Sequence, residues 1–176
     1  MKKAIFLDRD GVLNAVVMIN GIPTPPRNVK GVVLLPGVFE AINLLRSKSL
    51  EIVVVTNQPD FARENASMSE ILEINDFLKT QLDIQHFYTC FHDDIDNCDC
   101  RKPKPGLLKK AAVDLDIDLQ SSFLVGDRWR DIAAGQSAKC YCYFLDYGYH
   151  EKSPNLPFIR VSSLIEATHL ILEAIK

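Results

Sequence analysis

A chain of 176 residues, 47% of them hydrophobic and 24% charged, is long enough for one buried core and is neither disordered nor membrane-like. Its net charge of −3 and pI near 5.8 provide no general attraction to nucleic acid or anionic lipid, and no stretch approaches a transmembrane span. Met1-Lys2-Lys3 before an apolar run imitates an export signal, but Asp8 cuts the run short, so a cytoplasmic location is expected.

In chain order, Ala4-Ile5-Phe6-Leu7 reads as a buried strand that ends in Asp8-Arg9-Asp10-Gly11. Asp8 and Asp10 are two apart where the chain leaves the sheet, and crowded carboxylates repel unless a cation or a proton intervenes. On its own the motif also suits a polar turn. Residues 11–35, rich in proline, read as a long loop. Pro36-Gly37 opens a helix with Val38, Ala41, Ile42 and Leu45 on one face. The β-branched run Glu51-Ile52-Val53-Val54-Val55 predicts a strand covered on both sides, ending in Thr56-Asn57-Gln58. Ser67 and Glu70 form a capping box ahead of Ile71, Ile74 and Leu78. A short strand at 87–91 leads into a cysteine-rich loop, and Pro105-Gly106 begins a helix that runs to about Leu115. The strand at 122–125 ends in Gly126-Asp127, followed by a helix over 130–138 and strands at 141–145 and 158–161. Ser163 with Glu166 caps a terminal helix. The alternation predicts an α/β fold, one doubly wound parallel sheet in a single domain spanning 1–176.

Three further polar groups fall just after strands, where ligands of open α/β sheets collect. Thr56-Asn57 offers a hydroxyl and amides for a phosphoryl oxygen, although the pair is also a common turn. Arg101-Lys102-Pro103-Lys104-Pro105-Gly106 places positive charge before a helix start, which suits an anion or a solvated turn alike. Asp127 can complete an oxygen site for Mg²⁺ with Asp8 and Asp10. The five cysteines are odd in number and lie partly in Cys-x-Cys pairs, a poor disulfide framework. Cys90, His92, Cys98 and Cys100 supply the donors of a tetrahedral zinc site, and metal-free thiols are the plainer reading. Cys140 and Cys142 alternate with aromatics and read as core; His86, His150 and His169 belong to no such cluster.

In combination, Asp8-x-Asp10-Gly11, Thr56-Asn57, Lys102 and Gly126-Asp127-x3-Asp131 resemble the four ordered motifs of haloacid dehalogenase-like phosphatases. The resemblance implies a Rossmann-like fold and a phosphoric monoester hydrolase. It makes Asp8 the nucleophile that forms an aspartyl-phosphate, and Asp10 the residue that protonates the leaving oxygen and then activates water. Catalytic Mg²⁺ is expected on the Asp8 and Asp127 carboxylates and the Asp10 carbonyl, supported by Asp131. Thr56 and Asn57 are expected to bind the phosphoryl group, and Lys102 to balance its charge.

The Cys-x-His…Cys-x-Cys loop running into Arg101-Lys102-Pro103 resembles that of D-glycero-D-manno-heptose 1,7-bisphosphate phosphatases, and histidinol-phosphate phosphatases carry a similar one. The resemblance implies a structural zinc, a small phosphorylated sugar as partner and Arg101 near a second phosphate, with histidinol phosphate as the alternative substrate. Gln58-Pro59-Asp60-Phe61-Ala62-Arg63-Glu64 departs from the familiar Asn-Gln-Ser-Gly-Ile-Ala-Arg-Gly pattern by replacing two glycines with acids. With no large cap, residues 14–35, 58–67 and the cysteine loop are expected to select the substrate. A monomer is expected. A phosphoacceptor signalling domain or a metal-binding interaction module are the non-enzyme alternatives; the first places its acceptor aspartate after a middle strand, unlike Asp8.

Overall fold

The computed structural model describes residues 1–175. Six parallel strands form the central sheet: β1 (Ala4–Leu7), β4 (Glu51–Asn57), β5 (His86–Cys90), β6 (Phe123–Gly126), β7 (Tyr141–Leu145) and β8 (Ile159–Val161). Their order is β5-β4-β1-β6-β7-β8, so the chain runs outward from β1 in one direction and then in the other. That reversal opens a crevice at the carboxyl ends of β4, β1 and β6.

Side chains alternate across the sheet, and both faces are covered. Ile5, Leu7, Ile52, Val54, Phe123 and Val125 pack against α1 (Val38–Ser47), α2 (Met68–Leu82) and α5 (Leu164–Ala174). Ala4, Phe6, Val53, Val55 and Leu124 pack against α3 (Gly106–Leu115) and α4 (Trp129–Ser137). This is the expected doubly wound sheet. Both predicted caps form: Ser67 and Glu70 make a reciprocal capping box, and the Ser163 hydroxyl accepts the Glu166 amide. Cys140 and Cys142 are buried in the second layer, as their aromatic alternation implied.

The segment 11–35 differs from the expected loop. It contains an antiparallel hairpin, β2 (Val17–Ile19) and β3 (Ile22–Thr24), and a single 3₁₀ turn at Val29–Gly31. Asn20 and Gly21 at its tip both have positive φ, the backbone that a two-residue turn matched to strand twist requires. No helix among the described residues is long and apolar enough to cross a membrane.

Candidate active site

Register places the chemistry. Leu7 lies beside Val54 and Val125, so Asp8, Thr56 and Asp127 leave the sheet from three adjacent strands. They border a cleft of about 580 Å³, walled by the β2–β3 hairpin, the segment after β4 and parts of the cysteine loop. The expected selector loops all contribute to its lining.

Asp8 is held from one side. Its Oδ1 accepts the Arg9 amide at 2.8 Å and meets Lys102 Nζ at 2.9 Å, and among the described residues Oδ2 has no hydrogen bond. Lys102 is buried, and its ammonium also reaches Asp131 at 2.6 Å and the Val55 carbonyl at 2.8 Å. Burial opposes the lysine charge, but Asp131 and Asp8 together outweigh it and hold the proton on. Against this one ammonium stand the carboxylates of Asp8, Asp127 and Asp131, with oxygens within 4.8 Å of one another. Burial, then Asp131, pushes Asp8 up to about 7 against the pull of Lys102. Asp127 is pushed well above the usual carboxylate range, first by burial and then by Asp131 and Asp8.

Asp127 supplies the sharpest sign of a cation site. Both its carboxylate oxygens are buried without a hydrogen-bond partner. Tyr149 and Arg128 favour its charged form, but neither closes a hydrogen bond on it. Buried polar atoms are rarely left so, and an all-oxygen cluster suits a hard divalent ion. Gly11, at φ +86, sits where a β-carbon would run into the Asp127 carboxylate. The Gly11 carbonyl is held in turn by the Tyr147 hydroxyl at 3.0 Å. The residues present therefore fit Mg²⁺.

Asp10 is fixed by residues that the sequence reading did not single out. Arg9, fully buried, meets it at 2.9 Å; Asn14 Nδ2 donates to Oδ1 at 2.9 Å and Gln58 Nε2 to Oδ2 at 2.8 Å. Arg9 is braced from behind by Asn75, whose own amide donates to Thr89. The signals were an arginine between two aspartates and an asparagine on the buried stripe of α2.

Two expected substrate contacts are engaged elsewhere. Asn57 donates to the Lys102 carbonyl at 3.0 Å and accepts the Lys102 amide at 3.1 Å, so its amide fixes the lysine main chain. Arg101 donates to Asp94 at 2.8 Å and to the His92 carbonyl at 3.2 Å, and lies 3.5 Å from Asp93. Thr56 keeps its proton free: Oγ1 accepts from Gln58 Nε2 at 2.9 Å. The start of α3 does not line the cleft, since Gly106 packs tightly on the Asp99 backbone; only Arg101 and Lys102 of that basic run reach it.

Cys90, His92, Cys98 and Cys100 converge as the sequence suggested. Sulfur–sulfur separations run from 2.9 to 3.7 Å, and His92 Nδ1 lies 3.6 Å from Cys90 Sγ and 3.3 Å from Cys100 Sγ. A tetrahedral zinc with bonds of about 2.3 Å sets its sulfurs about 3.8 Å apart, so a small adjustment closes four ligands around one ion.

A parallel sheet whose central strands deliver a lysine-paired aspartate and an orphaned carboxylate into one cleft fits a hydrolase, and the chain is a member of the haloacid dehalogenase-like hydrolase family, which it matches over residues 27–139. It is 37% identical over 150 residues to the D-glycero-beta-D-manno-heptose-1,7-bisphosphate 7-phosphatase of Pasteurella multocida, covering 79% of this chain and 78% of that one. The Haemophilus influenzae enzyme of the same name is likewise 37% identical over 150 residues, with the same coverage. A solved D,D-heptose 1.7-bisphosphate phosphatase from B. bronchiseptica, complexed with magnesium and phosphate, superposes with a TM-score of 0.85 at 26% identity, over 98% of this chain and 99% of that one.

Proposed function

We propose that this phosphatase hydrolyses a D-glycero-D-manno-heptose 1,7-bisphosphate to a heptose monophosphate, the whole chain acting as one catalytic domain. The observation that carries the chemistry is Asp8, with Oδ1 pinned by Lys102 and Arg9 and Oδ2 open beside the cleft. The substrate rests on the two relatives and the solved neighbour.

Oδ2 of Asp8 attacks phosphorus as the ester P–O bond breaks, and Asp10 delivers its proton to the departing sugar oxygen. Asp10 then takes a proton from water, which attacks the aspartyl-phosphate, releases phosphate and restores Asp8. The Thr56 hydroxyl donates to a phosphoryl oxygen, and the Lys102 ammonium offsets the charge between the two anions. Asn57 keeps Lys102 in place through its main chain, and Asp131 anchors its ammonium. Asp8, Asp127 and the Asp10 carbonyl would hold Mg²⁺, which draws charge from the phosphoryl oxygens when bound.

Phosphate release from heptose bisphosphate, heptose monophosphates, histidinol phosphate and a generic aryl ester tests the assignment. The bisphosphate is expected to give the highest kcat/KM, with activity lost in chelator and restored by Mg²⁺. A far higher kcat/KM for histidinol phosphate would overturn the substrate, and full activity in strong chelator would overturn the metal.

The zinc assignment is separable. Purified protein is expected to hold about one zinc per chain on its Cys₃His set. Cys98→Ser should lower that content and loosen the loop ahead of Arg101-Lys102, raising KM or lowering stability while Asp8 stays in place. Elemental analysis finding no zinc in reduced, unchelated protein would count against the site.

A further inference from the structure

The cleft wall holds an internal anion where a substrate anion would be expected. Asp94, in the cysteine loop, receives Arg130 in a two-pronged grip, Nη1 to Oδ1 and Nη2 to Oδ2 both at 3.0 Å, and Arg101 Nε at 2.8 Å on Oδ1. Arg101, Arg130 and Asp94 all line the cleft, and Arg101 is the neighbour of the buried Lys102. Parallel N–H donation to two oxygens is how guanidinium groups recognise phosphate as well as carboxylate. The Asp94 side chain is nevertheless 54% exposed. It can therefore leave the fork for water without the desolvation penalty that a buried carboxylate pays on losing its partners.

We propose that Asp94 is a built-in stand-in for the second phosphate of the substrate, occupying the Arg101–Arg130 fork until a bisphosphate displaces it. This rests on the reading of the substrate as a bisphosphate. A phosphate dianion carries more charge and more acceptor oxygens than a carboxylate, so it competes successfully for the fork, while a monophosphate bound at Asp8 leaves Asp94 seated. Asp94 thus sets the discrimination between the two: it lowers affinity for bisphosphate by the work of its own displacement and keeps the fork closed to weak anions.

Calorimetry on the inactive Asp8→Asn protein, with and without Asp94→Asn, reads this directly. The probes are heptose 1,7-bisphosphate and heptose 7-phosphate, which differ only in the second phosphate. Removing the competing charge is expected to raise the ratio of bisphosphate to monophosphate affinity about tenfold, the scale of one charge-assisted hydrogen bond. Asp94→Ala should act in the same direction, with zinc content measured to show that the loop is intact. An unchanged ratio in both variants would place the second phosphate elsewhere, for example on Arg27, which also lines the cleft and has no ion pair among the described residues. A lowered ratio would make Asp94 a positioning residue for the arginines. Either result overturns the displacement idea. If the wild-type enzyme ignores heptose bisphosphate yet releases phosphate from other esters, the substrate assignment falls by itself. The fork is then read by the same criterion with fructose 1,6-bisphosphate against fructose 6-phosphate.

Discussion

Asp8→Asn should reduce phosphate release by roughly 10⁴-fold or more, the scale seen when a covalent nucleophile is removed. The amide is nearly isosteric and can still accept the Arg9 amide and Lys102 ammonium, so the fold persists, but it offers no anionic oxygen for attack or for a metal. Its stability should change in an instructive direction. In the wild-type pocket burial and the neighbouring Asp131 push Asp8 up to about 7 from an ordinary value of 3.8. A carboxyl that binds its proton more tightly when folded stabilises the fold fully at low pH, and that contribution disappears as pH rises from about 4 through about 7. Asparagine has no proton to lose. The variant should therefore show a flatter dependence of Tm on pH and exceed wild-type stability above pH 7, with the difference shrinking when Mg²⁺ is added to the wild type. Near-normal turnover by purified Asp8→Asn would remove the covalent mechanism, and parallel Tm curves would remove the electrostatic account of the pocket.

Lys102→Met is the second large effect. Methionine approximates the length of the stem but leaves Asp8 and Asp131 facing each other, with Asp127 nearby, in a site 1% exposed at the lysine. Breaking a buried pair by deleting one partner costs about 3–5 kcal/mol. The loss should be greatest at neutral and higher pH. It should ease on acidification, because protonation of the raised carboxyls removes the repulsion that the ammonium had offset. Turnover should fall by about 10²–10³-fold even where the protein is folded, as for other lost electrostatic donors. Urea denaturation at pH 5.5 and 7.5 alongside phosphate release checks both parts; a variant as stable as wild type at pH 7.5 would contradict the role given to Lys102.

Much of this architecture was legible because the central strands are short and apolar, and β4 is a β-branched run. β1 and β7 have the bounds that their residue pattern suggested, and every predicted helix formed. The hairpin was legible too but was obscured by its prolines: Ile19-Asn20-Gly21-Ile22 is a strong turn signal, and Pro23 is tolerated because the two-stranded ribbon consists of edges. The site divides differently. Residues identified by chemical type, Asp8, Thr56 and Asp127 at strand ends and Lys102 ahead of α3, reach one cleft. The partners of Asp10 come from the segment after β1, the segment after β4 and, behind them, α2. The long-range members of this set, Gln58 on Asp10 and Asn75 on Arg9, leave no periodic trace. The same is true of the contacts that Asn57 makes with the Lys102 main chain and Arg101 with Asp94.

The placement of Asp8, Thr56 and Asp127 on neighbouring parallel strands has an evolutionary corollary. Strands in a sheet are held about 4.8 Å apart by their backbone ladder, whatever their side chains. The spacing between Asp8, Thr56 and Asp127, and so between the roles proposed for them, is thus ruled by main-chain geometry, while the hairpin and the cysteine loop stand outside that ruler. Exchanging the hairpin or recasting residues 93–94 should redirect which ester enters without re-engineering how it is cleaved. The scaffold separates the inheritance of a reaction from the invention of a substrate.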